Sequence, residues 1–229
     1  MVEYPAEEVF LPLSLRILYQ DESLVVCEKP VGVLSESPGL PDLLSAQEGF
    51  AVLPVHRLDQ TTGGACVLAR SQQACAALQQ LFQQDLVLKE YLAVVSGVPE
   101  TPAGSFTDLL YHDPRSNKTF VVDKQRKGVK EASCEWSLLE TAEQPEGVLS
   151  LVRVRLHSGR THQIRVQFAS RKMPLAGDRR YGSRIKASVP ALWAARLCFP
   201  HPFTAGRTVD GSSAPPDEFP WSCFSALRP

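Results

Sequence analysis

Apolar positions follow two different periods along this chain. Short apolar runs at 15–19 and 24–28, separated by the polar stretch Gln20-Asp21-Glu22-Ser23, read as two strands joined by a turn. Between 33 and 54, Pro38, Gly39, Pro41 and Pro54 interrupt any regular pattern and predict a loop holding at most a turn of helix at 42–47. A loop of that length inside a domain is often functional. From Ser71 the period changes. Ala74, Leu78, Leu81 and Phe82 recur at helical spacing with six glutamines between them, which predicts a helix over 71–86 with Ser71 as N-cap and its glutamines in water. Strand signals follow at 91–95, 119–122, 132–139, 148–156 and 192–199, with a second helix over 161–170. Many strands in succession with only two clear helices predict an α+β fold built on a largely antiparallel sheet, in one continuous domain.

Composition agrees with a packed chain, 44% apolar and 21% charged. No apolar run approaches the roughly 20 residues that span a bilayer, and the first residues are acidic where a secretory leader would be basic. The expectation is a cytoplasmic protein with no membrane partner, monomeric by default. Six cysteines are scattered without C-x-x-C spacing, as fits reduced thiols packed as small apolar side chains, and the five histidines are too dispersed to suggest a metal cluster. The near-zero net charge hides an asymmetry. Residues 1–50 carry nine acids against two bases, whereas 151–190 carry ten bases against Asp178 alone. That block suits either phosphate contacts with a nucleic acid or a solvated charged face.

The chain lacks G-x-G-x-x-G, G-x-x-x-x-G-K-[ST], H-E-x-x-H and G-x-S-x-G, which removes the usual support for dinucleotide, nucleotide-phosphate, zinc-peptidase and serine-hydrolase chemistry. No cofactor and no metal is expected. Two polar segments remain. In Pro54-Val55-His56-Arg57-Leu58-Asp59-Gln60-Thr61-Thr62-Gly63-Gly64, an aspartate flanked by cationic residues and glycines fits an ionised nucleophile, or equally a carboxylate bracing a turn through Thr61 and Thr62. In Leu156-His157-Ser158-Gly159-Arg160-Thr161-His162-Gln163-Ile164-Arg165-Val166, a strand end opens a helix whose N-terminus favours anions. Arg165, one turn in, fits a bidentate grip on a carboxylate, or an ordinary surface position.

Together these segments resemble the RluA-like pseudouridine synthase family: His56-Arg57-Leu58-Asp59 with Thr62 and Gly64, then Gly159-Arg160-Thr161-His162-Gln163-Ile164-Arg165-Val166. Similar blocks extend from about 15 to 205, including the Lys29-Pro30-Val31-Gly32 end of the second strand, Lys89-Glu90-Tyr91, the stretch 174–182, and Leu192-Trp193-Ala194 through Phe199-Pro200-His201-Pro202. Gly63, Gln167 and Trp193 depart from it, standing where the family often has Ser, His and His.

The resemblance implies the α+β pseudouridine synthase catalytic domain over 15–205, a mixed, mostly antiparallel sheet with flanking helices and a central cleft, plus a short extension at 1–14 and an irregular tail at 206–229. It implies isomerisation of uridine in ribosomal or transfer RNA. Asp59 would be the nucleophile, Arg165 its ion-pair partner, and Tyr91 would lie against the uracil and handle its C5 proton. Substrate contacts fall to His56, Arg57, Arg160, Thr161, His162, Gln163 and Leu192, with His56 or Arg57 filling the place of the flipped base. Tyr91 and Leu192 also fit plain core positions. Two other readings stay open: a catalytically silent RNA-binding module, and a hydrolase that releases free uracil.

Overall fold

The computed structural model describes residues 14–228, so the extension expected at 1–14 lies, apart from Ser14, outside the described residues. A single mixed sheet organises the fold, in the order β1 (Ile17–Gln20), β2 (Leu24–Lys29), β4 (Gly63–Ala69), β10 (Leu192–Pro200), β5 (Leu88–Ser96), β9 (Gly147–Leu156), β8 (Val129–Gln144), β6 (Ala103–Asp113), β7 (Lys118–Val122). Two short strands sit off this path, β3 (Leu53–Pro54) on β4 and β11 (Thr208–Ser212) on β10. Every ladder is antiparallel except β4 with β10. The expected mixed, mostly antiparallel α+β sheet is therefore present.

Burial explains which elements were readable. Strand β4 is apolar without alternation because both its faces are covered. Ala65, Val67 and Ala69 face Ala74 and Leu78 of α2 (Gln72–Gln83), while Cys66 and Leu68 face Leu40 and Leu44 of α1 (Leu40–Glu48). Helix α2 begins as expected: the Ser71 hydroxyl accepts from the Ala74 N–H, and all six glutamines are exposed. On the other half of the sheet, Phe168 of α3 (Gln163–Ser170) meets Phe106 and Trp136 edge-on, over Val152 and Val154.

Three expectations change. The loop 33–54 contains a helix of nine residues, not a single turn, started by the Asp42 carboxylate accepting from the Gly39 N–H and stopped by left-handed Gly49. The segment between β5 and β7, without a strand signal, forms β6. The tail at 206–229 is not irregular: β11 extends the β10 ladder, and Trp221 and Phe224 are buried against Leu149, Leu151 and Trp193. Among the described residues no helix is long and apolar enough to cross a membrane.

The two halves of the sheet join where β4 meets β10, at Gly63↔Trp193 and Gly64↔Ala194. A Cβ on Gly63 would overlap the Trp193 ring, and one on Gly64 would overlap the Ala194 carbonyl. Gly64 also lies at φ +110°, open to glycine and costly for other residues. Gly63 and Trp193 thus answer one another: the absent side chain at 63 makes the room that the indole fills.

Candidate active site

The loop 56–62 crosses the sheet at this junction and is pinned from beneath. Ser35 Oγ accepts from the Leu58 N–H and donates to the Leu58 carbonyl, at 2.9 and 3.0 Å. Gly32 and Gln60 exchange two further bonds. Buried Lys29 donates to the carbonyls of Pro30, Val33 and, at 3.4 Å, Gln60. Burial pushes the Lys29 ammonium down to about 8, with Cys66 and Asp59 nearby opposing that shift. The turn itself closes through the Asp59 carbonyl accepting from the Thr62 N–H, and the Asp59 carboxylate bonds neither threonine. Of the two roles open to Asp59, turn bracing falls to its backbone, leaving the carboxylate free; its side chain is 26% exposed at the floor of a cleft.

Facing it is Arg165, brought in from α3 across 106 residues of sequence, with Nη1 3.5 Å from Asp59 Oδ2. The bidentate grip expected of this guanidinium is made on a different carboxylate. Nε and Nη2 donate to Asp178 at 2.7 and 2.9 Å, with both side chains buried. Asp178 therefore aims Arg165, and only the third corner of the fork reaches Asp59. Tyr181 completes the frame. Its ring lies under the guanidinium at 5.3 Å, and its oxygen accepts from the Thr119 N–H at 2.8 Å and contacts His162 Nδ1 at 3.0 Å.

His162, in a left-handed conformation at φ +54°, starts α3 and faces Asp59 with Nε2 at 3.8 Å. Burial brings its imidazole down to about 4; Asp59 opposes the shift, and Arg165 and Arg180 reinforce it. The ring is thus neutral near pH 7. A Tyr181 O–H donated to Nδ1 is one arrangement that fits this contact, and in that tautomer the ring proton sits on Nε2, towards Asp59.

The cleft has two chambers that share Arg57, Leu58, Asp59, Thr161 and His162. One, of about 120 Å³, is closed by Tyr91, Leu156, Ile164 and Leu192. The other, of about 260 Å³, is bounded by Leu34, Gln60, Asn117, Arg165 and Arg180. Tyr91, from β5, has no side-chain hydrogen bond among the described residues; burial, with Asp59 and Cys66 behind it, raises its phenol well above the usual range.

Most of the residues expected at the site line this cleft, with two adjustments. His56 does not: its Nε2 accepts from the Val67 N–H at 3.1 Å, and its ring stacks on Phe82 behind the loop. Burial, reinforced by Lys89, pushes His56 down to about 4. The stack on Phe82 and the bond from Val67 hold the imidazole inward, while neighbouring Arg57 projects, exposed, into the mouth. Gln163 lines the cleft, but its amide is occupied, accepting from Ser158 Oγ and the Arg160 N–H and donating to the Ser133 carbonyl. It braces the turn that presents Arg160, whose Nε donates to the Glu131 carbonyl, and Thr161, whose carbonyl accepts from the Thr119 hydroxyl. Gln167 lies in the core, where it donates to Asp108. Asp178, Tyr181, Thr119 and Lys29 were missed; the visible hint for Asp178 is that it is the only acid in a strongly basic stretch.

Residues 23–170 match the family model described as RNA pseudouridylate synthase. An RNA pseudouridine synthase of Aquifex aeolicus is 37% identical over 194 residues, 78% of this chain and 59% of that protein. The ribosomal large subunit pseudouridine synthase D of Xanthomonas campestris is 33% identical over 243 residues, 94% of this chain and 70% of that protein. The chain thus spans between about three-fifths and seven-tenths of the length of these relatives. The fold matches the solved human RNA Pseudouridylate Synthase Domain Containing 1 with a TM-score of 0.78 at 22% identity, over 94% of this chain and 87% of that one. The matched segment carries Asp59, Tyr91 and Arg165 around one cleft, and the chain belongs to the RNA pseudouridylate synthase family.

Proposed function

We propose that this chain isomerises uridine to pseudouridine in RNA, with Asp59 as nucleophile and without a cofactor. The observation that carries the reading is an unencumbered carboxylate at the floor of a cleft, faced by a guanidinium whose direction a second, buried carboxylate holds. The chamber under Tyr91, Leu156, Ile164 and Leu192 suits a flat base, and the chamber with Arg57, Asn117 and Arg180 suits the ribose and phosphates beside it.

In the reaction the carboxylate adds to the bound nucleotide, the bond from ribose C1′ to uracil N1 breaks, and the base turns. C1′ then bonds to C5, the C5 proton leaves, N1 gains a proton and Asp59 is released, so composition is unchanged. Arg165 supports the anionic charge on either side of the adduct. Tyr91 packs on the ring and relays the C5 proton, taking it while passing its own to water, because a phenol held protonated is not a resting base.

A uridine within folded RNA reaches this site only when flipped out, at about a few kcal/mol. Arg57 at the mouth is placed to occupy the gap. Eight exposed bases within 151–190 supply phosphate contacts. A relative named for the large ribosomal subunit favours ribosomal RNA as substrate, and a monomer in the cytoplasm fits that task.

The test is incubation with RNA from cells lacking the protein, followed by nucleoside analysis. Pseudouridine supports the proposal, free uracil indicates a hydrolase, and RNA retention without conversion indicates a binding module. Asp59→Asn should abolish tritium release from C5-labelled uridine RNA while RNA affinity stays within about threefold, since one of many contacts changes. Release at the unsubstituted rate would remove Asp59 from the mechanism.

A further inference from the structure

The β6–β7 hairpin carries two surfaces of opposite character. On its inner face, Thr119 binds Tyr181 and Thr161 and so touches the frame around Asp59. On its outer face, Phe120 is 42% exposed and pairs in register with Tyr111 across the ladder, so the two aromatic residues share one face of the hairpin. Cations flank both rings: the Lys118 ammonium lies 5.6 Å from the Phe120 centroid and the Arg126 guanidinium 4.9 Å from that of Tyr111. Residues 114–130 hold six basic side chains and one acid, Asp123. The rings border a broad groove of about 950 Å³ that also includes Pro114, Arg115, Arg126 and one acid, Asp113, whose carboxylate is engaged by Ser116 and the Arg115 N–H.

The turn at the tip of the hairpin joins this groove to the site. Asn117 lines the chamber beside Asp59, while Pro114 and Arg115 line the groove. Arg180 fastens the turn by donating to the Ser116 and Asn117 carbonyls. A strand leaving the cleft past Arg180 and Asn117 meets the basic tip first and the aromatic pair next. An exposed aromatic pair lying under the ends of two long cationic side chains suits an unstacked base, which takes a ring face as the cation swings out to its phosphate. The groove adjoins the cleft through this turn, which favours the substrate strand itself as its occupant over a separate acidic protein.

We propose that Phe120 and Tyr111 form a stacking platform for an unpaired base of the RNA substrate, outside the pocket that takes the isomerised uridine. The proposal rests on the RNA reading of the site and adds to it a position where the flanking strand is gripped.

The test places an indole on the platform. Trp136, Trp193 and Trp221 are all buried, so in Phe120→Trp the added fluorophore is the exposed one. Its emission should be quenched on titration with an oligouridylate of about twelve nucleotides, a length within the range single-strand sites cover. Heparin, a polyanion without bases, should quench little. Phe120→Ala should weaken oligouridylate binding, read from anisotropy of a labelled strand, by about tenfold, while Phe203→Ala, an exposed aromatic elsewhere, should not. Quenching absent at saturating strand, equal quenching by heparin, or unchanged affinity in Phe120→Ala would each overturn the platform. Pseudouridine formation by the unsubstituted chain is scored separately. Its absence with quenching retained would sink the isomerase reading and leave the platform standing.

Discussion

Replacing Asp178 with leucine tests whether the buried carboxylate aims Arg165. Asp178 is 1% exposed and holds two of the three nitrogens of the guanidinium, so the substitution strands a buried cation whose remaining anionic neighbour is Asp59 at 3.5 Å. Breaking a buried pair from one side costs about 3–5 kcal/mol. At roughly 2–4 °C per kcal/mol for a domain of this size, Tm should fall by about 6–20 °C. The freed guanidinium then closes on Asp59, moving by about an ångström to reach ordinary ion-pair distance, and displacement on that scale costs about 100-fold in rate. Thermal unfolding and tritium release at a temperature where the variant is folded read the two effects separately.

A second variant separates folding from chemistry. Arg165→Met with Asp178→Leu replaces the pair by apolar groups, an exchange that is often neutral or stabilising. The double variant should regain most of the Tm lost by Asp178→Leu and remain inactive. Recovery of activity along with stability would show that Arg165 serves only the fold. A single Asp178→Leu chain with unchanged Tm and rate would refute the aiming role outright.

Three further outcomes follow from particular contacts. Tyr91→Phe keeps the ring and removes the hydroxyl, so tritium release should fall about 100- to 10,000-fold if the phenol relays the C5 proton, whereas a loss under about tenfold would reduce Tyr91 to packing. Stability should fall on mild acidification: His56 and His162 titrate near 4 in the folded chain and near 6.5 unfolded, so protons favour the unfolded state across that window. Each histidine contributes a loss of about 1.4 kcal/mol by pH 5.5 relative to neutral pH; a flat denaturant midpoint between pH 7 and 5 would contradict this. Gly63→Ser should cost about 1–3 kcal/mol because its Cβ meets the Trp193 ring. Adding Trp193→His should return about 1 kcal/mol of that in a denaturation cycle, and strict additivity would show that the two positions are not coupled.

How much of the fold can be read from the chain depends on where each element gets its stability. Helix α2 is legible because its period, its Ser71 cap and its exposed glutamines are local. Strand β6 is not, because only Phe106 and Leu110 along its length are buried, and its conformation is held by ladders to β7 and β8. The same holds for β11, whose inward positions are Val209 and Gly211 and whose register is borrowed from β10. Its glycine is required because a Cβ there would press on Val26, yet in the sequence it reads as a turn. The helix in 33–54 was hidden by prolines that serve it, since Pro41 stands in its first turn, where no N–H is needed.

The site divides along the same line. Asp59 and Arg165 could be named from short motifs because their neighbours in sequence build the turns that present them. What aims Arg165 at Asp59 could not, because that group lies 13 residues beyond Arg165 in a segment without periodic structure. The charge pattern nonetheless held a usable sign. A lone carboxylate among ten bases, if exposed, would only weaken the attraction of that surface for phosphate; buried on an arginine, it costs the surface nothing and fixes a direction. The sequence suggested a bidentate grip by Arg165 without naming its carboxylate; that carboxylate is Asp178, while the expected pair with Asp59 is made through a single nitrogen. This arrangement suits the proposed reaction: a guanidinium clamped to Asp59 through two nitrogens would tie up the oxygens proposed to reach the nucleotide, whereas one clamped to Asp178 offers Asp59 a fixed charge and leaves those oxygens open.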